Sequence, residues 1–463
     1  MTTPVSSKRA PRKQPSEFRV GRVKAFLRGQ VWYLCYYEQG RRRRPRVGPD
    51  RDAAKQLAAQ INGQLETGVR ATLSFDSITI PVLRDQWIAN HEHVKRSSLQ
   101  TVNRYRTATE HLLRFLEQTP VRSVALFQIA HAEQFVRYLR NIRVAPNGHP
   151  NTAKRTLLDK GIQFILETCR SLFMFAAKRR YLPPYAENPF TALELGRMPL
   201  EIRRPIVMPV QAQVVEVFAG ASAWEFDILL TLALTGMRPG ELSHLLIEDF
   251  DVEGRMLHIR SRTELGWQTK TRRDRSVPLV PPLTEILQQM LAGRRSGTLF
   301  VRPRTLGSQL PSWGSSARQV QHELQRRQVE AEVTLARSLD RRERAQLIPR
   351  LWLELGMVKP DFIRNCLLRL SQKSGVRELA TPKTFRHLFA TTLQEGRVDP
   401  LIRNELLGHI PEDGSRSGAG LGMTAQYTHT RLGTKRSQLE EAFAKHPLLL
   451  LAQKRLTIDL PPS

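Results

Sequence analysis

Leu232-Ala233-Leu234-Thr235-Gly236-Met237-Arg238-Pro239-Gly240-Glu241-Leu242 is the stretch on which the reading of this chain turns. An apolar run enters Gly236, where a helix can end on a residue without a Cβ. Pro239 suits the first position of a second helix, because that position needs no N–H. Arg238 then falls at the junction of two helices, where its fork can reach a phosphate, and Glu241 is spaced to hold the fork. A turn arginine is most often structural, so this stretch gains meaning only in company with segments further along the chain.

Four such segments occur in order. Gln268-Thr269-Lys270-Thr271-Arg272-Arg273-Asp274 is polar and lies between strand-like runs at Met256–Arg260 and Arg275–Val280, which puts Lys270 on or near a hairpin. A charged turn is the ordinary meaning of such a lysine. Thr381-Pro382-Lys383-Thr384-Phe385-Arg386-His387 starts a helix after Pro382, with Lys383 and Arg386 on one face at i, i+3. Leu406-Leu407-Gly408-His409 has the form of a helix end with a capping glycine. Thr424-Ala425-Gln426-Tyr427-Thr428-His429 holds the one tyrosine after Tyr185, and so the one phenolic nucleophile of the C-terminal half. Packing is the commoner use of a single tyrosine.

Composition narrows the partners. The 463 residues carry 72 Lys and Arg against 43 Asp and Glu, a net charge of +29. Such a surface attracts polyanions, nucleic acid first and anionic membrane second, although some basic proteins are merely soluble. No run approaches the ~18 apolar residues of a membrane span, and Leu448–Leu451 is far too short. The basic N-terminus has no apolar segment of a secretory signal after it. Three scattered cysteines, Cys35, Cys169 and Cys366, form no CxxC pair, which argues against a cysteine zinc site and a disulfide framework. Their apolar or aromatic surroundings predict core positions. His91-Glu92-His93 lacks the HExxH spacing and reads as a solvated helix end.

The N-terminal 70 residues hold 16 Lys and Arg against 5 Asp and Glu, a net of +11. Residues 1–17 have the composition of a disordered basic arm. Val23–Leu27, Val31–Tyr37 and Arg41–Arg44 with Arg46-Val47 read as three strands, and Asp50 or Asp52 caps a helix to about Glu66. The basic run Arg41, Arg42, Arg43, Arg44 suits a sheet lying in a DNA groove, or a solvated or targeting segment. From about 75 to 195 the periodicity is helical. Ser97 or Ser98 caps one helix, a shorter helix spans about Ala132–Arg140, and Asn151 opens a long one ending near Lys178. Arg203-Arg204-Pro205 reads as a linker, and about 315–346 reads as an exposed, charged helical insertion.

In their order along the chain, Arg238, Lys270, Lys383/Arg386, Gly408-His409 and Tyr427 resemble the motifs of the tyrosine recombinases of phage-integrase type, and the resemblance spans about residues 18–447. It implies a multidomain protein, mainly α with small β-sheets. An α+β tyrosine-recombinase catalytic domain (206–447) would follow a helical core-binding domain (75–195) and a small N-terminal three-stranded sheet plus helix (18–70) of arm-binding type. Residues 448–463 would form a tail. It also implies site-specific recombination without metal or cofactor. Tyr427 would attack the phosphodiester, forming a 3′-phosphotyrosine and releasing a 5′ hydroxyl. Arg238 and Arg386 would stabilise the transition state, Lys270 would protonate the leaving oxygen, Lys383 and His409 would donate hydrogen bonds, and Glu241 would support Arg238.

Double-stranded DNA is the implied partner, with a homotetramer on it, accessory DNA-bending proteins beside it and no membrane. The implied location is the cytoplasm, at the nucleoid if the source is bacterial. Two departures stand out. Lys383 occupies the position where the family usually has His, and a charged lysine donates but cannot accept the tyrosine proton. Pro411–Gly422 lengthens the usual link before Tyr427. A type IB topoisomerase and a catalytically dead DNA-binding homologue are the rival readings.

Overall fold

Alternation along Val31–Glu38 puts Trp32, Leu34, Tyr36 and Glu38 on one buried face, as the period of a strand requires. This strand, β3, pairs antiparallel with β2 (Val23–Arg28), which pairs with β1 (Glu17–Val20). On its other edge β3 pairs with β4 (Arg41–Arg43) and β5 (Arg46–Gly48). The expected third strand is therefore present but divided at Arg44-Pro45, where proline cannot donate to the ladder. The edge strand β1 was not evident in the sequence. Asp50 caps α1 (Arg51–Glu66) by accepting the Asp52 N–H at 2.8 Å, and α1 lays Ala54, Ala58 and Ile61 into the sheet's apolar cluster.

The structure is a computed structural model that describes residues 16–145, 151–184, 186–196, 207–409 and 430–458. Most of the basic arm, the segment Pro411–Gly422 and Tyr427 lie outside the described residues. Among those described, no helix is long and apolar enough to cross a membrane.

A second core in the N-terminal half joins α2 (Ile80–Ala89), α3 (Leu99–Glu117), α4 (Ile129–Asn141) and α5 (Asp159–Lys178). Ser98 caps α3, as its sequence suggests. Helix α5 starts at Asp159 rather than Asn151. The intervening Arg155–Thr156 forms β7, paired with β6 (Arg143–Val144), and the Arg143 guanidinium donates to Lys154 O at 3.0 Å. The His91-Glu92-His93 expectation also needs correction. His91 and Glu92 are buried within a π-helical turn, with the imidazole against Trp87 and Tyr105 and the carboxylate paired to Arg106 at 3.3 Å. Sheet and helices form one compact unit, Met1–Arg204. Asp76 ties them together, its carboxylate binding Arg43 at 2.9 Å and Arg70 at 2.5 Å while its N–H donates to Arg180 O, just past α5, at 2.9 Å.

The second unit, Pro205–Ser463, is built on α7 (Ala223–Thr235), which is buried from Glu225 to Thr235. Around it pack α6 (Gln211–Ala219), α8 (Pro239–Ser243), α9 (Pro281–Leu291), α12 (Pro360–Ser374), α13 (Lys383–Glu395), α14 (Pro400–Leu407) and α15 (Leu432–Phe443). A small antiparallel sheet, in the order β10-β9-β8, is made of β8 (Phe250–Asp251), β9 (Met256–Ile259) and β10 (Arg275–Pro278). The charged insertion is a pair of helices, α10 (Ala317–Leu335) and α11 (Arg341–Glu354). The segment expected as a tail is instead a helix, α16 (Pro447–Ile458), whose Leu448 and Ala452 are fully buried in the main core.

Gly236 ends α7 with φ at 61°, and a Cβ there would lie 2.3 Å from Phe389 Cδ1. Both left-handed strain and overlap with a buried ring oppose any side chain. Gly236→Ala is expected to lower stability by roughly 2–5 kcal/mol in urea unfolding. Gly433→Ala, where no atom lies within 4 Å of the added carbon, should show no such loss.

Candidate active site

The left-handed Gly236 and the proline at the start of α8 turn the chain so that Arg238 becomes the N-cap of α8. Its backbone N–H donates to Glu241 Oε2 and its Nη1 to Oε1, each at 2.8 Å. Glu241 is 2% exposed and takes a second guanidinium. Arg275, at the start of β10, donates Nη1 to Oε1 at 3.1 Å and Nη2 to Oε2 at 2.6 Å. Arg275 Nε reaches Leu406 O at 2.9 Å, tying the end of α14 to the sheet. Gly408 ends α14 with φ at 66°, and a Cβ there would stand 3.3 Å from Arg275 Cδ. A larger residue would press on this arginine.

Arg386 sits one turn into α13. Its Nη1 donates to Gly236 O at 2.7 Å, and its Nη2 donates to Leu407 O and, at 2.9 Å, to His409 Nε2. The three arginines and His409 thus come from four separate elements and are bound to one another through Glu241, Gly236 and the end of α14. Burial, then the charge of Arg238, brings the Arg386 guanidinium down to about 10, which still leaves it charged at neutral pH. Burial, then Arg386, Arg238 and Arg275, pulls the His409 imidazole below its usual range. A neutral imidazole with its proton on Nδ1 fits the acceptor role of Nε2 towards Arg386. Three guanidiniums against one carboxylate leave an excess of positive charge suited to an anion with several oxygens, such as a phosphate.

Lys270 occupies the turn Thr269–Arg272 within the β9–β10 connection, closed by Arg272 N donating to Thr269 O at 3.0 Å. It is exposed, as is Lys383 at the first turn of α13. Burial, then Lys383 and Arg386, depresses the imidazole of His387 on the same helix. Arg275 was missed by sequence reasoning. Its one signal is its register, because it shares a strand face with the buried Val277.

The Arg41–Arg44 run does not act as a block. Arg42 pairs with the exposed Tyr37 on the open face of the sheet. Arg43 is occupied internally, donating to Asp76 at 2.9 Å and to Phe75 O at 3.0 Å. Arg41 and Arg44 are exposed. Cys169 is buried as expected, but Cys35 is only half-buried on the open face, where its sulfur accepts from Arg42 Nε at 3.2 Å. No group of three or more His, Cys, Asp or Glu residues arranged to hold a metal is found among the described residues.

Arginines from several elements thus gather beside a histidine in a helical unit with a small sheet. Residues 213–343 match the phage integrase family. That segment contains Arg238, Glu241, Lys270 and Arg275, whereas Arg386 and His409 lie beyond it. Three solved structures are similar to the chain. An integrase of the Tn1549 transposon in complex with a circular intermediate DNA is 18% identical, covering 79% of this chain and 99% of its own, with a TM-score of 0.47. A lambda integrase dimer bound to a COC′ core site is 14% identical, covering 88% and 94%, with a TM-score of 0.49. A lambda integrase tetramer bound to a Holliday junction is 14% identical, covering 84% and 98%, with a TM-score of 0.48. None of the curated proteins compared matches the chain.

The Glu241 carboxylate gives a pH signature. Burial raises its pKa, but Arg275 and Arg238 outweigh burial and hold the group below its ordinary 4.5. Its contribution to stability is therefore complete above about pH 4.5 and is lost as pH falls through the lower folded value. Glu241→Gln, which leaves the buried Arg275 and the partly exposed Arg238 without their anion, should cost about 3–5 kcal/mol at pH 7. The variant's stability should also depend less on pH below 4.5, as read from urea unfolding at a series of pH values.

Proposed function

We propose that this chain cuts and rejoins DNA at specific sites through a covalent bond to Tyr427. The observation that carries the proposal is the Arg238–Glu241–Arg275 triad beside Arg386 and His409. The cluster is charged, fixed by hydrogen bonds and gathered from distant parts of the sequence. Such a cradle can hold the nonbridging oxygens of a phosphodiester while charge builds on them. In the proposed step the Tyr427 oxygen bonds to phosphorus, the bond from phosphorus to the 5′ oxygen breaks, and the 3′ phosphate stays on the tyrosine. The phenol's proton passes to solvent water and Lys270 supplies one to the 5′ oxygen, so the count balances. Lys383, exposed and charged, would donate to a phosphate oxygen and cannot be the base for the phenol. Exchange between two duplexes breaks four strands, and one nucleophile per chain then calls for four chains on the DNA.

Tyr427→Phe is expected to bind DNA as the natural protein does while forming no covalent adduct on denaturing gels. An adduct from the phenylalanine variant would remove Tyr427 from this role. Strand exchange between two DNA sites, in place of mere relaxation of supercoils, separates a recombinase from a topoisomerase.

The open face of the N-terminal sheet is proposed as a second DNA contact. Its register sets Lys24 near Cys35, Phe26 opposite Tyr33, Arg46 opposite Tyr33, and Arg42 opposite Tyr37. Basic groups among aromatic rings suit phosphates and bases together. Replacing Lys24, Arg42 and Arg46 by Ala should flatten the slope of log affinity against log salt by about 0.9 for each phosphate released. An unchanged slope in a filter-binding titration would assign the face another task.

A further inference from the structure

Helices α10 and α11 are rich in charge, yet they bury a compact apolar seam. Val320 and Leu324 of α10 meet Leu351 and Trp352 of α11, and the same cluster takes in Leu246 and Leu265. Leu265 belongs to the β9–β10 connection, the segment that carries Lys270. There Arg262 and Trp267 exchange backbone hydrogen bonds at 2.9 and 3.0 Å and close a small loop. Trp352 Nε1 donates into that loop, to Leu265 O at 3.0 Å. Gly266 has φ at 68°, and a Cβ on it would fall 2.8 Å from Ile348 Cδ1 of α11. The loop and α11 therefore fit closely.

The other side of the loop rests on the helix that carries Arg238. Trp267 stacks on His244 with centroids 3.9 Å apart and planes 8° from parallel, and Trp352 meets the same imidazole edge-on at 4.8 Å. The six-membered ring of Trp267 reaches Gly240, where an added Cβ would lie 3.0 Å from it. His244 Nδ1 donates to Gly240 O at 2.7 Å, and burial takes its pKa down to about 4, so the stacked ring is neutral at physiological pH. Glu248 completes the attachment by accepting from the first N–H of α10, Ala317 N, at 2.9 Å and from buried Arg262 at 3.1 Å.

We infer that the α10–α11 insertion is a clasp that sets the position of Lys270 over the arginine cluster, with Trp352 and Trp267 as positioning residues. Lys270 comes three residues after Trp267, and Thr269, 2% exposed, is pinned between them by Ser261 Oγ at 3.0 Å. Fixing Trp267 against His244 therefore leaves the lysine backbone little freedom relative to Arg238. This inference rests on the role proposed above for Lys270 as the acid for the leaving oxygen.

The test compares ordinary DNA with DNA whose scissile 5′ oxygen is replaced by sulfur. A thiol ionises near pH 8.5, so a thiolate leaves without help from an acid. Single-turnover cleavage is measured for the full-length natural protein, Lys270→Ala, Trp352→Phe and Gly266→Ala. Trp352→Phe keeps an aromatic ring but loses the donor to Leu265, and Gly266→Ala pushes the loop away from α11. Both are expected to cut ordinary DNA about 10- to 100-fold more slowly, part of the ~10²–10⁴ that a general acid supplies, and to recover on the sulfur-bridged DNA. Equal slowing on both substrates would overturn the inference, because the clasp would then support the whole site and not the lysine. Undiminished cleavage of ordinary DNA by both variants would also overturn it. Lys270→Ala is the reference. If sulfur fails to rescue Lys270→Ala, the acid role of Lys270 falls and the clasp inference falls with it. If sulfur rescues Lys270→Ala but not the clasp variants, only the clasp inference falls.

Discussion

The carboxylate of Glu241 is the interaction on which the rest of the second unit depends. A carboxylate taken out of water costs several kcal/mol unless its oxygens are well matched. Here both oxygens are matched twice, by Arg238 at the start of α8 and by Arg275 at the start of β10. Because Arg275 also holds Leu406 O, the same carboxylate fixes the end of α14, and with it Gly408 and His409. The arginines are arranged before any anion arrives. Their mutual repulsion is met on folding, by burial of the surrounding apolar core, so it need not be met when an anion binds. The depressed pKa of Arg386 reports the same excess of positive charge, after burial itself.

Much of this site was legible because its parts sit at chain reversals, which glycine and proline mark. Gly236, Pro239 and Gly408 are such marks, and Arg238 and His409 stand beside them. Arg275 carries no such mark. It is one of several basic residues in the Lys270–Arg275 segment, and only pairing with β9 shows that it points inward with Val277. Tyr427 was singled out as the one phenol of its half of the chain, an inference from scarcity that geometry does not enter. The stretch about 315–346 was read as an exposed, charged helical insertion; the structure has two helices there, the second running on to Glu354, and their apolar seam escaped notice. Val320 and Leu324 lie on one helix and Leu351 and Trp352 on another, so neither helix has an apolar stripe of ordinary width.

The N-terminal unit shows how strand periodicity divides a run of like residues. Four consecutive arginines look equivalent in the sequence, yet the pleat sends neighbours to opposite faces. Arg42 goes to the open face beside Tyr37, while Arg43 turns inward to Asp76 and Phe75 O and joins the sheet to the helices. A block of charge in a strand is therefore two half-blocks with different work. Helices α5 and α16 were misread for related reasons. Asn151 has the chemistry of a cap but is followed by a short β-ladder, and Leu448–Leu451 is a uniform apolar run that hides its one-sided burial, Leu448 lying in the main core and Leu450 exposed.

DNA changes the ionic surroundings of any protein that binds it, because condensed counterions leave as phosphates are neutralised. Contacts between exposed charges vary with that change, since the screening length at physiological salt is only about 8 Å. The contacts that set the Lys270 loop are of another kind: stacked rings of His244 and Trp267, a tryptophan N–H on a backbone carbonyl, and apolar burial around Leu265. None of these depends on an exposed charge, and His244 stays neutral well below pH 7. In a chain with a net charge of +29, the Lys270 loop is thus held by packing and not by exposed charge. For the acid role proposed for Lys270, such a hold keeps its distance from the arginine cluster independent of the ionic change that DNA brings, the condition under which a positioned acid serves a single leaving oxygen.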